Sequence, residues 1–261
     1  KAQHPTKVGV WLSWADLATR TGSTDELASV AETGLEALGN DRWEFMPSAV
    51  ELFIRAERFE QAGEVLSEMR LNDFRPSYVA FLEGLLAERE GRLRDAAEHW
   101  QRAVSMGFPD PRNPSPLPYL RLASTLARLG DVQLAINQFR RILTQFPSET
   151  GALLQSHLSL AQLFIQTRDW QQAIEHARRV QQIAPGQSEA LIMELQARTH
   201  LLAAKGSPGS QSQEWQVLET KLDEAEAVVG DSPRMRLLRA QVATMRGEFS
   251  QVESLLQELE A

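Results

Sequence analysis

The chain of 261 residues carries 35 acidic and 27 basic side chains, a formal net charge of −8, with 43% hydrophobic and 24% charged residues, a core-forming balance. Charged and polar residues interrupt every apolar run, which excludes a spanning helix of roughly 18 or more apolar residues. The absence of cysteine removes disulfides, thiolate metal sites and cysteine nucleophiles and leaves the compartment undetermined, while the acidic excess argues against a duplex nucleic-acid binder.

The chain opens at Lys1 rather than Met and shows no signal-peptide pattern, which reads as a processed protein or a segment of a longer polypeptide. From there apolar and small residues recur at helical spacing. Trp11, Trp14, Ala15, Ala18, Gly22, Leu27 and Ala31 predict a helix pair over residues 8–42, and Met46, Phe53, Phe59, Ala62 and Leu66 a second over 43–76. Gly84, Ala87, Gly91, Ala96, Trp100 and Ala103 mark a third over 77–115. It closes on Gly107 to Pro118, where Pro109, Pro111, Pro114, Pro116 and Pro118 oppose helix and favour a stiff extended course. That stretch reads as a spacer that lengthens one connection, because the periodicity continues in phase beyond it.

Residues 116–153 and 154–187 carry the clearest pattern: Tyr119, Leu122, Ala123, Leu126, Gly130, Ala135, Phe139, Ile142 and Pro147, then His157, Leu160, Ala161, Phe164, Trp170, Ala173, Val180 and Pro185. Residues 188–232 predict a helix from Ser188 to Ala204, a flexible Gly/Ser/Pro/Gln loop from Lys205 to Gln213, and a helix from Glu214 to Val229; the repeat phase is not fixed here. Arg239, Ala240, Gly247, Phe249, Val252 and Leu256 mark a last pair over 233–261.

A large residue followed three positions later by a small one (Phe59 and Ala62, Leu93 and Ala96, Val132 and Ala135, Trp170 and Ala173) recurs every 34 to 39 residues. With the Leu, Gly, Tyr, Ala, Phe and Pro positions above, the chain resembles the tetratricopeptide repeat family, whose signature runs W-x₂-L-G-x₂-Y, then A-x₃-F and a closing Pro. The resemblance covers nearly the whole chain as about seven repeats. It implies an all-α fold, a right-handed superhelical solenoid of stacked antiparallel helix pairs. One pair cannot bury its apolar face alone, whereas several stacked pairs can. Val50 stands where the family places a small residue, Glu83 where it places Leu, and Glu57 replaces a turn glycine.

Local signatures of catalysis are missing from the sequence: there is no H-E-x-x-H, G-x-x-x-x-G-K-[ST], G-x-S-x-G or G-x-G-x-x-G. His4, His99, His157, His176 and His200 do not pair at helical zinc-ligand spacing. His99 and His176 read as surface residues, and the acidic groups Glu88 and Glu90, or Asp223, Glu224 and Glu226, as solvated helix faces. Most tryptophans fall in packing slots, with Trp11 and Trp14 expected to be partly bare on the first helix. Lysine occurs only at Lys1, Lys7, Lys205 and Lys221, so the other basic residues are arginine, a bias that reflects either codon usage or planar carboxylate recognition.

In the family it resembles, first helices line a concave surface. Transferred by phase, the resemblance puts Leu12, Pro47, Phe81, Leu120 and Leu158 on an apolar strip beside a rail of Arg20, Arg55, Arg89 and Arg128. A basic residue near a helix C-terminus is also favoured by the macrodipole alone. The expectation is a non-enzymatic interaction scaffold without cofactor or metal, holding a peptide or helix of a partner protein that carries acidic and apolar side chains. Alternatives are a regulatory or substrate-presenting arm of an enzyme whose catalytic domain lies outside this chain, and an RNA-binding helical repeat; Asp16, Glu44 and Glu51 on the same surface oppose the latter. Self-association through uncapped array ends is a further outcome. Because stacked modules lose stability gradually, a fragment ending at Gly230 is expected to keep its helical circular dichroism per residue; global collapse would contradict stacking.

Overall fold

The computed structural model describes residues 5–204, 212–230 and 232–260. Most of the predicted loop from Lys205 to Gln213, and the side chain of Leu256, lie outside the described residues. Among those described, fourteen α-helices follow one another: α1 (Val8–Thr21), α2 (Thr24–Leu38), α3 (Met46–Arg55), α4 (Phe59–Leu71), α5 (Pro76–Arg89), α6 (Leu93–Ser105), α7 (Leu117–Leu129), α8 (Val132–Gln145), α9 (Thr150–Gln166), α10 (Trp170–Ile183), α11 (Ser188–Ala204), α12 (Gln213–Val229), α13 (Pro233–Arg246) and α14 (Phe249–Glu260). A short 3₁₀ segment, Gly39–Glu44, joins α2 to α3.

Local chemistry sets several helix starts. Ser23 accepts a hydrogen bond from the Glu26 amide, Asp169 from that of Gln172 and Ser232 from that of Met235, so each satisfies an amide that the helix leaves free. Pro47, Pro76, Pro118 and Pro233 sit in first turns, where a missing N–H costs nothing. This corrects the expectation for the proline-rich connection: Pro118 is helical. Before it, β1 (Pro109–Asp110) pairs antiparallel with β2 (Asn113–Pro114) in a small exposed hairpin. At the turn where glycine was replaced, Glu57 adopts φ +58°, a left-handed conformation that costs a side-chain-bearing residue about 1–2 kcal/mol.

The chain divides into two compact units, residues 1–138 and 139–261. In the first, α1 packs on α2 and α3, α3 on α4 and α5, and α5 on α6, with α2 against α3, α4 against α5 and α6 against α7. In the second, α9 packs on α10 and α11, α11 on α12 and α13, and α13 on α14, with α10 against α11. Both units therefore repeat one rule: a helix meets its successor, and a first helix meets the next first helix. That is an all-α helical-repeat solenoid built of hairpins.

Small residues make the close approach possible. Ala62, Ala96, Ala135 and Ala173 are all fully buried. A Cβ on Gly34 would lie 2.5 Å from Phe45 Cε1, and one on Gly84 would lie 2.4 Å from Trp100 Nε1. The indole of Trp100 is itself inaccessible. Trp11, expected to be partly bare, is also fully buried, 6.1 Å from the Phe45 ring; Trp14 keeps 44% of its surface exposed. In the second unit Trp215 centres a cluster with Leu195, Leu218, Leu222, Met235, Leu238 and Val242. Gly84→Ala should destabilise the chain by about 1–3 kcal/mol through overpacking against a rigid ring, measured as a lowered urea midpoint; an unchanged midpoint would show that α5 and α6 separate without cost.

Candidate functional site

The four predicted arginines stand in the last turns of α1, α3, α5 and α7, all four side chains are exposed, and α1, α3 and α5 pack in succession. They differ in what holds them. Arg20 pairs with Asp16 at 2.9 Å, both well exposed, an arrangement that stabilises little. Arg128 meets Glu88 at 2.8 Å, and Arg121 meets the other oxygen of that carboxylate at 3.5 Å. Arg55 and Arg89 have no ion pair or hydrogen bond among the described residues. One turn before Arg55, half-buried Glu51 likewise has no hydrogen-bond partner among them. Burial raises its pKa above the usual carboxylate range, and the charge of Arg55 opposes that rise.

The predicted apolar positions are less uniform. Leu12 is 38% exposed, whereas Phe81 and Leu120 are buried, as is Pro47. Phe108, at the start of the proline-rich connection, stacks on Phe81 with centroids 4.4 Å apart and also contacts Tyr78 at 4.7 Å. In the second unit Leu158 is half-buried.

Sequence reasoning did not identify two carboxylates that gather cations between helices. Glu83 on α5, where the repeat pattern places Leu, faces His99 Nδ1 at 3.0 Å, Arg70 at 3.3 Å and Arg102 at 3.5 Å. It thereby joins α5 to α4 and α6. Glu194 on α11, 8% exposed, accepts from Arg178 Nε and Gln181 Nε2 on α10, each at 2.9 Å, and from Arg198 Nε at 2.8 Å on its own helix. Burial pushes the Glu83 pKa up, but contact with His99 and the charges of His99, Arg102 and Arg70 together outweigh it, and the net direction is down. The departure from Leu was the only sequence signal; Glu194 had none, because its partners lie on another helix.

Residues 81–150 and 120–188 each match the family model described as tetratricopeptide repeat. Residues 81–188 carry tetratricopeptide repeats. No curated protein matches the sequence significantly, but solved structures share the fold. The C-terminal part of a tetratricopeptide repeat-containing protein from Cytophaga hutchinsonii superposes with a TM-score of 0.69 at 14% identity, over 95% of this chain and 93% of that one. A tetratricopeptide repeat protein from Parabacteroides merdae gives 0.59 at 8% identity over 97% and 92%. PilW, described as a type IV pilus biogenesis factor, gives 0.60 at 14% identity over 85% and 94%. At such identities the likeness is one of fold.

Within the hairpins the histidines are more engaged than expected. His176 is only 8% exposed rather than on the surface, because it faces α9, where its Nδ1 lies 2.8 Å from His157 Nδ1. His99 is half-buried against Glu83. His200 stacks on Trp170 at 4.5 Å, and burial, then the charge of Arg168, lowers its pKa. His4 lies outside the described residues. Of the acidic residues read as solvated, Glu90, Asp223 and Glu224 are exposed, and Glu90 also pairs with Arg92, and Asp223 and Glu226 with Arg239. Among the described residues no group of three or more His, Asp and Glu is placed to hold a metal, and no helix is long and apolar enough to cross a membrane.

The lowered pKa of Glu83 has a definite sign for stability. Its contribution is complete above the unfolded carboxylate pKa and is lost as pH falls through the lower folded value. Glu83→Ala should cost about 1–3 kcal/mol at neutral pH, since it removes a charged acceptor from a largely buried position. Glu83→Leu, which restores the repeat pattern and leaves Arg70 and Arg102 free to turn to water, should stay within about 1 kcal/mol of the parent and flatten the acid limb of a plot of urea midpoint against pH. An unchanged acid limb in Glu83→Leu would show that this carboxylate is not coupled to folding.

Proposed function

We propose that the chain is a non-enzymatic interaction scaffold whose first helices receive an extended or helical segment of a partner protein, with Arg55 and Arg89 meeting carboxylates on that segment. The observation that carries this reading is the contrast within the arginine rail. Arg20 and Arg128 already have carboxylate ion pairs within the chain, whereas Arg55 and Arg89 are exposed, form no ion pair or hydrogen bond among the described residues, and end two first helices that pack together. A guanidinium pair held on rigid helices suits planar, bidentate recognition of carboxylate. Within the same unit Leu12, 38% exposed, is the predicted apolar position that keeps surface for an anchor. The same fold in PilW, described as a pilus biogenesis factor, is compatible with an assembly role here.

Fluorescence polarisation against a panel of peptides interleaving Asp or Glu with Leu or Phe tests the reading. The best peptide should bind about tenfold more weakly to Arg55→Ala/Arg89→Ala, a difference of about 1.4 kcal/mol, and less weakly to Arg20→Ala/Arg128→Ala, with binding reduced by added salt. Equal affinities across parent and both double variants would remove the arginines from the function.

A further inference from the structure

The second unit holds a polar cluster that the binding surface does not use. His157 on α9 and His176 on α10 approach Nδ1 to Nδ1 at 2.8 Å, with ring centroids 5.1 Å apart. At that separation one nitrogen must carry the proton and the other must offer its lone pair, so at least one ring is neutral. Phe164, also on α9, lies parallel to the His176 ring at 5.5 Å, and the guanidinium of Arg140 on α8 sits 5.6 Å above Phe164. The pair is thus enclosed between the two helices of one hairpin beside an aromatic ring and cations.

We propose that the His157–His176 pair is a proton-sensitive latch, which closes the α9–α10 hairpin while it shares a single bridging proton and opens it when both imidazoles are charged. A second proton removes the only acceptor, so the hydrogen bond is lost and two cations are left in contact. The surroundings worsen that state. Arg140 from α8 and Arg179 from α10 add positive charge, Glu175 from α10 is the carboxylate that opposes it, and among the described residues no charge on α11, which packs on both helices, joins them.

The titration of the rings agrees with this geometry. Burial first, then His157, Arg140 and Arg179, lowers His176 to about 4, while burial and Arg179 lower His157 against the pull of Glu175. Both folded values lie below the unfolded imidazole. The latch therefore contributes fully above the ordinary imidazole value of 6.5 and is lost progressively as pH falls from there towards about 4.

Hydrogen–deuterium exchange on the full chain at about pH 7 and about pH 5, corrected for intrinsic exchange rates, tests the latch with α5–α6 as internal reference. Protection of peptides from α9 and α10 should fall by roughly tenfold or more, and by more than in α5–α6. The double variant His157→Leu/His176→Leu should abolish that excess loss. Nitrogen-detected imidazole titration of the parent supplies a readout that does not depend on the variant folding: both rings should titrate below the ordinary range. Ordinary titration of both rings, or an acid loss in α9–α10 no greater than in α5–α6, overturns the proposal.

Discussion

Hairpin stacking in this protein depends on pairing a residue of almost no volume with a large one across each helix contact. Gly84 lies against Trp100 and Gly34 against Phe45, at distances that leave no room for even a methyl group. The fully buried alanines Ala62, Ala96, Ala135 and Ala173 supply the same clearance elsewhere. Dispersion forces fade within an ångström of the optimal contact, so helices held apart by one extra carbon would lose much of the packing that makes a two-helix module stable. Because each module buries its face only against neighbours, this clearance governs the fold of each unit.

Close packing also brings charged side chains from different helices into register, and the arginine-rich composition acquires a structural use. Glu83 and Glu194, each on a first helix, collect guanidinium groups from the preceding second helix, whereas Glu219 and Glu226 on a second helix pair with Arg246 and Arg239 of the next first helix, and Glu68 pairs with Arg42 of the 3₁₀ segment. Planar guanidinium groups satisfy several carboxylate lone pairs at fixed angles, which suits contacts that must be repeated along an array. Much of the carboxylate recognition suggested by the arginine bias is therefore intramolecular. Against that background the arginines without such partners are the chemically distinctive ones.

The buried polar groups respond to acid in two ways. Glu83 is a negative charge compensated by cations, and acid weakens it by protonating the carboxylate. His157 and His176 are imidazoles kept short of full charge, and acid weakens them by adding positive charge among cations. Both effects point in the same direction with falling pH, but the histidine pair responds first because imidazole titrates above carboxylate.

Helix content, hairpin order and the small positions were readable from residue order, because they follow from contacts within three or four residues and from a repeat period that survives local divergence. The limits of α11 and α12 were likewise legible within one residue, set by the Gly/Ser/Pro stretch between them. Which carboxylate meets which arginine was not legible, and neither was the meeting of His157 with His176 across nineteen residues. Those pairings depend on the rotation and axial offset of one helix against the next, quantities that side-chain volumes at the interface set jointly and no single segment encodes. For the same reason sequence phase placed Phe81 on the apolar strip, while the tertiary fold brought Phe108 over it.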